Sequence, residues 1–537
     1  MTNEPTAAPG APAFEPFPDL IRRHAQARGD QPAFVIDGNA MTWRQLATDL
    51  GCVASACRAV PLAEGDTVAL FASMAPEVIA TFFGVVDAAA CIVPLATSAT
   101  PESVLSMLRD CRARVLVATA DVHALLAPIE VTLRAEFAGR LIAIGFEAPG
   151  WTAWNAWTQA PAAVDARVAL APDQDFNIIY SSGTTGTPKG ILHRHGMRHR
   201  QAARRSFGLD TNSVMLLSTP IYSNTTLQPM LATLAAGGTC VLMKKFSAAG
   251  FLALCQRHRV THTMLVPVQY QRILDHPDFA ASDLSSFVMK QSTGAPLDAG
   301  LKQRIVQAWP GTLREIYGMT EGGVSCVLDV NQHPDKLDTV GRPPPDHDLR
   351  IVDDEGRELG PGETGEIVGR SPYMMAGYYG RPEATQDFYW RDAEGNVFHR
   401  SGDIGRFDAD GFLRLLDRKK DMIISGGFNI YAADLESILA AHPAVREATV
   451  IGVPSAQWGE TPLAIVVPVQ GSDVTPQQLL EWTNAQVGRT QRLSAVELRG
   501  EIPRSALGKV LKRELRQPYW DSGAAAAAPS DTTGAHR

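Results

Sequence analysis

Apolar runs and helical apolar patterns alternate along the first 170 residues of the chain. Residues 67–71 (TVALF) and 115–118 (VLVA) are short and strongly apolar, which favours buried strands, and the segments between such runs have helical spacing. Strands that alternate with helices are typical of parallel βαβ units. The pattern therefore predicts an α/β architecture with parallel strand pairing, and the same alternation continues to about residue 315.

Turn sequences become frequent after this point. Residues 353–356 (DDEG) and 408–411 (DADG) each combine acidic residues with a glycine, a composition typical of tight turns. Residues 350–352 (RIV) lead into the first turn, and residues 412–415 (FLRL) follow the second. These signals predict hairpins, and therefore short antiparallel strands, in this part of the chain.

A small separate domain is predicted towards the C-terminal end. Residues 417–421 (DRKKD) form a charged segment, beyond which residues 435–439 have helical spacing. Residues 449–453 and 464–467 are strand-like apolar runs, so the mixture predicts an α+β domain. The predicted division of the chain is a disordered tail at 1–13, a large domain at 14–418, the small domain at 421–520 and a second disordered tail at 521–537.

The composition is that of an ordinary globular protein of 537 residues, with 45% hydrophobic and 20% charged residues. Lys and Arg number 49 and Asp and Glu number 57, which gives a net charge of −8. This charge argues against a dedicated nucleic-acid binder, because such a protein needs a basic surface. The seven cysteines form no C-x-x-C pair, which argues against a zinc cluster or a disulfide framework and favours buried thiols in a reducing cytoplasm.

Neither a signal peptide nor a membrane span is predicted. Residues 1–18 contain no Lys or Arg and lack an apolar core. The most apolar stretch, residues 78–95, is interrupted by Asp87 and has Pro94 near its end, so it is too short and broken to cross a bilayer. It predicts instead a buried helix followed by a strand, in a cytoplasmic protein.

A loop rich in glycine and hydroxyl groups follows a predicted strand at residues 176–180. Its sequence, residues 181–190 (SSGTTGTPKG), lets backbone amides approach a phosphate closely, and five hydroxyls and one lysine add donors. It is not a Walker loop, because Pro188 precedes Lys189 and Gly190 follows it. The loop therefore predicts a phosphate-binding site, and a flexible surface loop is the alternative.

At this loop the chain resembles the adenylate-forming enzymes, which include acyl-CoA synthetases, peptide-synthetase adenylation domains and luciferases. Their signature S-[SG]-G-T-T-G-x-P-K-G fits residues 181–190. Further motifs recur in the family's order at residues 292–297 (STGAPL), 316–321 (IYGMTE), 362–366 (GETGE), 401–403 (SGD), 418–431 (RKKDMIISGGFNIY) and 503–509 (PRSALGK). Each motif is weak alone, whereas the ordered set spans nearly the whole chain and is specific. Within the family, the chain resembles 4-coumarate-, benzoate- and medium-chain acyl-CoA ligases.

The resemblance implies a fold and a set of ligands. The implied fold is α/β, with a large N-terminal AMP-binding part of several subdomains that contains parallel-rich sheets and a distorted antiparallel barrel. A small mobile C-terminal α+β domain follows it. The implied ligands are ATP, Mg²⁺, coenzyme A and a small carboxylic acid, and a homodimer is also expected from the family.

The same resemblance implies roles for individual residues. Contacts to the phosphates and the adenine are implied for Ser182, Gly183, Thr184, Thr185, Gly186, Lys189, Gly294, Ala295, Pro296, Tyr317 and Gly318. Asp403 and Arg418 would bind the ribose, Gly426 and Gly427 would line the pantetheine tunnel, and Lys420 would be the hinge. The implied catalytic residues are Thr320 at the α-phosphate, Glu321 as the magnesium ligand and Lys509 as a bridge between the acyl carboxylate and the α-phosphate. Without the motifs, the aromatic residue would be a core residue and the charged ones ordinary surface charges.

The predicted acyl pocket departs from the family's usual pattern. Residues 220–226 (PIYSNTT) keep an aromatic residue, Tyr222, but Ser223 stands where the family commonly has His. Asn224 adds a polar group, and Gly318 is the fourth predicted pocket residue. The departure puts the gating role of that His in doubt and indicates a pocket with some polarity, while loop drift is the alternative.

Basic residues are concentrated between residues 193 and 205. The run contains His193, Arg194, His195, Arg198, His199, Arg200, Arg204 and Arg205. We predict a solvated helix face, which is the common reason for such a run. A patch that binds the phosphates of CoA, or a second carboxylate of the substrate, is the alternative.

The predicted function is an ATP-dependent carboxylic acid–CoA ligase. It would activate an organic acid as acyl-AMP with release of pyrophosphate, and then transfer the acyl group to CoA after rotation of the C-terminal domain. The chain ends soon after Lys509 without room for a carrier domain, which favours a free-standing ligase. A stand-alone enzyme that loads a carrier-protein thiol and a luciferase-like monooxygenase are the alternatives, and aromatic, short branched or hydroxylated and medium-chain acids all remain open as substrates.

Overall fold

The computed structural model describes residues 13–60, 62–159, 168–180, 189–204, 207–425, 428–505 and 508–521. The chain divides into two compact units. Unit 1 consists of residues 1–335, 343–348 and 369–399, and unit 2 consists of residues 336–342, 349–368 and 400–537. The two predicted tails fall outside the described residues except at positions 13 and 521, and the predicted domain boundary near residues 418–421 stays a prediction.

Helices and strands alternate along unit 1, as the apolar pattern predicts. The elements before the glycine-rich loop are α1 (Phe17–Arg28), β1 (Pro32–Ile36), β2 (Asn39–Thr42), α2 (Trp43–Ala59), β3 (Thr67–Phe71), α3 (Pro76–Asp87), β4 (Cys91–Pro94), α4 (Pro101–Asp110), β5 (Val115–Thr119), α5 (Ala120–His123), α6 (Glu130–Glu136), β6 (Leu141–Ile144), β7 (Trp151–Ala153), α7 (Trp154–Thr158) and β8 (Asp175–Tyr180). Those after the loop are β9 (Gly190–Arg194), α8 (His195–Ala203), β10 (Val214–Leu217), α9 (Asn224–Ala236), β11 (Thr239–Leu242), α10 (Ala248–His258), β12 (His262–Leu265), α11 (Pro267–Leu274), β13 (Met289–Ser292), α12 (Ala299–Ala308), β14 (Thr312–Gly318) and β15 (Ser325–Asp329).

The remaining elements include the predicted hairpins and the C-terminal α+β part. They are β16 (Asp348–Val352), β17 (Gly365–Arg370), β18 (Gly377–Tyr378), α13 (Pro382–Asp387), β19 (Tyr389–Arg391), β20 (Val397–Phe407), β21 (Leu413–Arg418), β22 (Ile423–Ser425), β23 (Phe428–Ile430), α14 (Ala432–Ala440), β24 (Val445–Ser455), β25 (Gly459–Pro468), α15 (Pro476–Asn484), β26 (Ala495–Leu498) and α16 (Lys512–Asp521). The predicted turn at residues 408–411 joins β20 to β21, which pair antiparallel.

Two eight-stranded sheets form unit 1. Their strand orders are β15-β14-β13-β12-β10-β11-β1-β2 and β18-β9-β8-β4-β3-β5-β6-β7. Pairing is parallel through the middle of both sheets, and antiparallel pairs lie towards their ends, as between β14 and β15 and between β8 and β9. All five residues of β3 are buried, which agrees with a strand covered on both faces.

The most apolar stretch of the chain forms α3 and then β4, as predicted. Ten residues of α3, from Val78 to Asp87, are buried, because the helix packs inside unit 1. Among the described residues, no helix combines the length and the apolarity that crossing a membrane requires. Six of the seven cysteines are buried free thiols and Cys52 is an exposed one, which confirms buried thiols at six positions.

Antiparallel strands dominate the rest of the chain. A curled sheet has the order β16-β17-β20-β19, with β21 paired to β20, and a bulge lies between Ile404 and Gly405. A second five-stranded sheet, β23-β22-β25-β24 with β26 on β25, lies in unit 2 with α14, α15 and α16. Apolar clusters cover its two faces, one around Leu435 and Val450 and one around Ile451 and Ile465. The predicted fold class is therefore confirmed.

Candidate active site

Several predicted site residues of unit 1 lie at one edge of a parallel sheet. Strands β10, β12, β13 and β14 run parallel, so their carboxyl ends meet at the same edge. Tyr222 lies in the loop after β10, Gly294 in the loop after β13, and Thr320 in the loop after β14. Ligands of open α/β sheets bind outside the carboxyl ends of the strands. The topology thus brings the predicted acyl, adenine and phosphate residues to one place.

The predicted adenine-side loop lies close to the start of α9. Gly294 has φ +87°, a left-handed conformation that favours glycine. A Cβ at this position would lie 3.5 Å from Val266 Cγ1 and 3.9 Å from Thr225 Oγ1, so the loop runs beside the predicted acyl pocket. Gly294 and Pro296 are exposed and Ala295 is half-buried, so this loop offers a surface to a ligand.

A buried ion pair anchors the far end of that loop. Lys302 Nζ lies 2.7 Å from Glu315 Oε2, and both side chains are almost fully buried. The other oxygen of Glu315 accepts a hydrogen bond from the backbone N–H of Leu297 at 3.0 Å. Burial raises the pKa of the Glu315 carboxyl, and Lys302 opposes that shift. Since Glu315 belongs to β14, the pair ties the adenine-side loop to the strand that carries Tyr317 and Gly318.

Glu321 and Lys189, both predicted site residues, are joined through a third residue. The hydroxyl of Tyr378 donates a hydrogen bond to Glu321 Oε1 at 3.0 Å. Lys189 Nζ lies 4.9 Å from the centroid of the Tyr378 ring, a cation–π distance. The register of β9 and β18 explains the contact, because Tyr378 pairs with Ile191, two residues after Lys189. The sequence reasoning missed Tyr378, although the glycine-flanked pair Gly377-Tyr378-Tyr379-Gly380 was a usable signal.

The hydroxyl of Tyr378 stays protonated over the working range of pH. Burial first, and then the negative charge of Glu321, raise the pKa of this phenol well above its ordinary value. The hydroxyl therefore remains a donor, and it holds Oε1 of the Glu321 carboxylate in place.

Replacement of Tyr378 by phenylalanine is expected to weaken the binding of ATP and Mg²⁺. The loss of one hydrogen bond to a carboxylate corresponds to about 1.5–3 kcal/mol, so the KM for ATP at limiting Mg²⁺ should rise by about tenfold or more. Steady-state kinetics at several Mg²⁺ concentrations measure this effect. The control is Tyr379→Phe, which removes the adjacent hydroxyl and leaves the contact to Glu321 intact. Equal effects of the two variants would contradict the assigned role.

The acyl loop is built around the start of α9. Ser223 is the N-cap of this helix, and its Oγ accepts a hydrogen bond from the N–H of Thr225 at 3.2 Å. Serine is among the best N-cap residues, so a structural reason exists for serine at the position where the family commonly has His. Tyr222 is buried, and burial raises its pKa. Asn224, the first residue of α9, is half-buried.

The prediction of a solvated face for the basic run is wrong. His193, His195, Arg198 and His199 are all less than one tenth exposed, while Arg194 and Arg200 are exposed. The run begins with His193 inside β9 and continues into α8, whose buried residues include His195, Arg198 and His199. Phe14 packs edge-on against the rings of His195 and His199. Arg204 pairs with Asp346 at 3.2 Å, and Arg205 lies outside the described residues.

Unit 2 contains a second group of predicted site residues. Asp403 and Arg418 face each other across β20 and β21, and Arg418 Nε lies 3.1 Å from Asp403 Oδ1. Gly402 has φ +68°, and its carbonyl accepts a hydrogen bond from the N–H of Lys419 at 2.8 Å. Both charged side chains keep some exposure, so the pair remains accessible. The predicted ribose contacts therefore do come together.

Lys509 belongs to the same group. It lies in a turn that is closed by a hydrogen bond of 2.8 Å, which the N–H of Ser505 donates to the backbone carbonyl of Lys509. Desolvation first, and then the charges of Arg418 and Lys420, lower the pKa of the Lys509 ammonium to about 8, against the attraction of Asp403. Lys509 nevertheless keeps an exposed side chain, so water screens part of this repulsion. Unit 2 thus gathers the predicted catalytic lysine, ribose pair and hinge lysine.

The lowered pKa of Lys509 predicts a pH dependence. The ammonium is present below its pKa and is lost as pH rises through about 8, so the rate of acyl-AMP formation should fall over that interval. Acid-dependent exchange of pyrophosphate into ATP, followed from pH 6 to pH 10, measures it. Lys509→Arg keeps a positive charge throughout and should lose the alkaline decline, even if its maximal rate is lower. An identical alkaline limb in this variant would exclude Lys509 as its cause.

Some predicted residues fall outside the described part of the chain. These are Ser182, Gly183, Thr184, Thr185 and Gly186 of the glycine-rich loop, and Gly426 and Gly427 of the predicted tunnel.

Comparisons with known proteins identify the family of the chain. The profile of the AMP-binding enzyme family matches residues 21–379, and that of the AMP-binding enzyme C-terminal domain matches residues 434–509. A feruloyl-CoA synthase from Amycolatopsis is 35% identical over 486 residues, which cover 90% of this chain and 94% of the relative. A fatty acid–[acyl-carrier-protein] ligase from Streptomyces coeruleorubidus is 30% identical over 512 residues, covering 93% and 96%. The solved anthranilate CoA ligase AuaEII, in complex with anthranoyl-AMP, superposes with a TM-score of 0.85 at 26% identity, covering 95% of this chain and 98% of that chain.

The chain belongs to the AMP-binding enzyme family. This confirms the predicted family and fold, and it supports the predicted class of AMP-forming acid–thiol ligase.

Proposed function

We propose that the protein is an ATP-dependent carboxylic acid–CoA ligase that works in two steps. In the first step, an acid carboxylate oxygen attacks the α-phosphorus of ATP, the bond to the β-phosphate bridge breaks, and pyrophosphate leaves. In the second step, the CoA thiolate attacks the acyl carbon, and AMP leaves with the electron pair of the broken bond between the acyl carbon and the anhydride oxygen. The observation that carries the proposal is the cluster of Lys509, Asp403 and Arg418 within unit 2.

ATP is bound through several kinds of contact in this proposal. Asp403 accepts hydrogen bonds from the ribose hydroxyls, and Arg418 orients its carboxylate. Tyr317 stacks on the adenine, beside the loop of Gly294. Lys189 carries a charge suited to the β- and γ-phosphates, and Thr320 donates to the α-phosphate. These are hydrogen-bond and charge contacts of the kind that phosphoryl transfer depends on.

The residues present fit a magnesium ion that arrives with ATP. Within the ranges that the structure describes, no group of three or more His, Cys, Asp or Glu side chains could hold a metal ion. Mg²⁺ usually takes one or two carboxylates and completes its shell with water and substrate phosphates. Glu321 supplies such a carboxylate, positioned by the Tyr378 hydroxyl. When bound, the metal would neutralise charge on the phosphate oxygens.

Lys509 acts in the first step in this proposal. Two anionic groups, the acid and the α-phosphate, must approach each other, and a positive charge between them stabilises the charge that develops in the transition state. Lys509 supplies such a charge, and its neighbours Arg418 and Asp403 are the proposed ribose contacts. The second step uses a different orientation of the C-terminal domain, with Lys420 as hinge and Gly426-Gly427 along the path of pantetheine.

We propose an aromatic acid as the substrate. The feruloyl-CoA synthase and the anthranilate CoA ligase are named for such acids. Tyr222 offers an aromatic face and Asn224 a polar group at the predicted pocket, which suits a ring that carries a polar substituent. A homodimer and a cytoplasmic location, both expected from the sequence, belong to this proposal, and light scattering and cell fractionation test them.

A panel of acids tests the proposed function. Ferulate, benzoate, 2-hydroxybenzoate and octanoate are each incubated with ATP, Mg²⁺ and enzyme, with and without CoA, and AMP release is followed. We expect AMP release that depends on both acid and CoA and is fastest with an aromatic acid. Transfer to a phosphopantetheinylated carrier protein in preference to CoA would instead favour carrier loading, the activity named for the Streptomyces relative. Failure of all four acids would contradict the proposed substrate classes.

A further inference from the structure

A buried arginine lies in the middle of unit 1 among uncharged partners. Arg198 of α8 is fully buried, and no carboxylate of the described residues lies within ion-pair distance of it. Its guanidinium donates instead to neutral groups: Nε to Asn177 Oδ1 at 2.9 Å, Nη1 to Gln201 Oε1 at 2.9 Å, and Nη2 to His193 Nδ1 at 3.1 Å and to Asn224 Oδ1 at 3.0 Å. Four of the five N–H groups of the guanidinium are thereby used.

Such an arrangement costs free energy. A buried cation without an opposite charge loses its hydration and regains only part of it through hydrogen bonds. Burial lowers the pKa of Arg198 to about 9, and no acidic group of the described residues offsets this. An apolar side chain would fill the same space at a lower cost in folding free energy. The presence of arginine at position 198 is therefore explained better by the groups that it orients than by a contribution to stability.

The guanidinium determines the state of His193. Because a guanidinium can only donate, His193 Nδ1 must accept, and the proton of the neutral ring must be on Nε2. Burial first, and then the charge of Arg198, keep the pKa of His193 well below its ordinary value, so the ring stays neutral. The Nε2–H group then donates to the carbonyl of Thr320 at 2.8 Å. Arg198 is thereby connected to the backbone of the proposed catalytic residues Thr320 and Glu321.

The same argument determines the amide of Asn224. Its Oδ1 must face the donating Nη2 of Arg198, so the Nδ2 group is directed away from the guanidinium. Asn224 starts α9, directly after the cap residue Ser223. A continuous hydrogen-bonded series therefore runs from the acyl loop to the loop after β14: Asn224, Arg198, His193 and the carbonyl of Thr320.

We propose that Arg198 is a positioning residue that sets the orientation of Asn224 in the acyl pocket and couples that loop to the Thr320–Glu321 backbone. Through Asn224, Arg198 makes the pocket selective for acids that carry a hydrogen-bond acceptor in addition to the carboxylate, because the amide presents its NH₂ group to the substrate rather than its oxygen. This inference deepens the proposed function and, for its kinetic part, rests on it.

A double-mutant cycle tests the kinetic part. Arg198→Lys keeps the charge but loses the planar set of donors, and Asn224→Ala removes the amide. We expect each variant to raise the KM for 2-hydroxybenzoate by about tenfold and to raise the KM for benzoate by no more than about twofold. The double variant should be no worse than either single one, because both remove the same interaction. Arg200→Lys, at an exposed position of the same helix, is the control.

Hydrogen exchange tests the coupling without any substrate. If Arg198 joins the two loops, Arg198→Lys should speed exchange at the backbone amides of both residues 222–226 and residues 319–322, and Arg200→Lys should change neither. Additive effects on KM, equal effects on the two acids, or faster exchange confined to α8 would overturn the proposal. If wild-type enzyme activates no acid, the proposed function fails, while the exchange experiment still decides whether Arg198 couples the loops.

Discussion

Replacement of Lys509 by alanine is expected to nearly abolish acyl-AMP formation and to leave the reaction of CoA with preformed acyl-AMP largely intact. The first step brings two anionic groups together, and removal of the one cation proposed to lie between them should cost about two to three orders of magnitude in rate, as the loss of a transition-state donor does elsewhere. The second step joins a thiolate to a neutral acyl carbon and has no such requirement.

The two steps are measured separately. Acid-dependent exchange of pyrophosphate into ATP reports the first, and CoA-dependent consumption of supplied acyl-AMP reports the second. The matched control is Arg513→Ala, which removes an exposed basic side chain four residues further along the chain and should change neither rate. Equal losses in both steps would show that Lys509 is not confined to adenylation.

Replacement of Glu321 by glutamine should also have a large effect on adenylation, because it weakens the binding of Mg²⁺. The variant keeps the size of the side chain and an oxygen that can accept from Tyr378, but it loses the negative charge. Since Mg²⁺ binds neutral amide oxygens less well than carboxylates, we expect the Mg²⁺ concentration for half-maximal adenylation to rise by about tenfold or more. The maximal rate at saturating Mg²⁺ should recover in part.

Magnesium titration of the pyrophosphate exchange measures this shift. Glu147→Gln, which changes an exposed acid in unit 1, is the control and should follow the wild-type curve. A lower rate at all Mg²⁺ concentrations with an unchanged midpoint would contradict the role of Glu321 as metal ligand. That outcome would leave Tyr378 and Glu321 as a pair that only shapes the loop after β14.

Local sequence motifs predict much of the proposed site. Asp403 and Arg418 belong to separate motifs, and the structure places them opposite each other in one hairpin. Lys509 belongs to a turn motif, and it lies with them in unit 2. Such motifs are readable because glycines, turn residues and charged groups with specific tasks occupy fixed positions along the chain, independent of the rest of the fold.

The residues that the sequence reasoning missed depend on contacts between distant segments. Tyr378 reaches Glu321 only because β18 pairs with β9. Arg198 and His193 belong to a run of basic residues that predicts a solvated face, and packing within unit 1 buries them instead. The charges along a helix do not reveal which of its faces the rest of the protein covers. The sequence of the basic run alone was therefore not sufficient to predict its burial.

By itself the sequence determined the alternation of helices and strands, the family and the identity of the residues proposed for catalysis, because periodicity, turn chemistry and motif spacing are local properties. Only the tertiary structure decided that Tyr378 holds Glu321 and that a buried arginine connects Asn224 with Thr320. These contacts join segments that strand register and helix packing bring together. Burial and proton positions follow from that packing, and no local pattern in the chain encodes them.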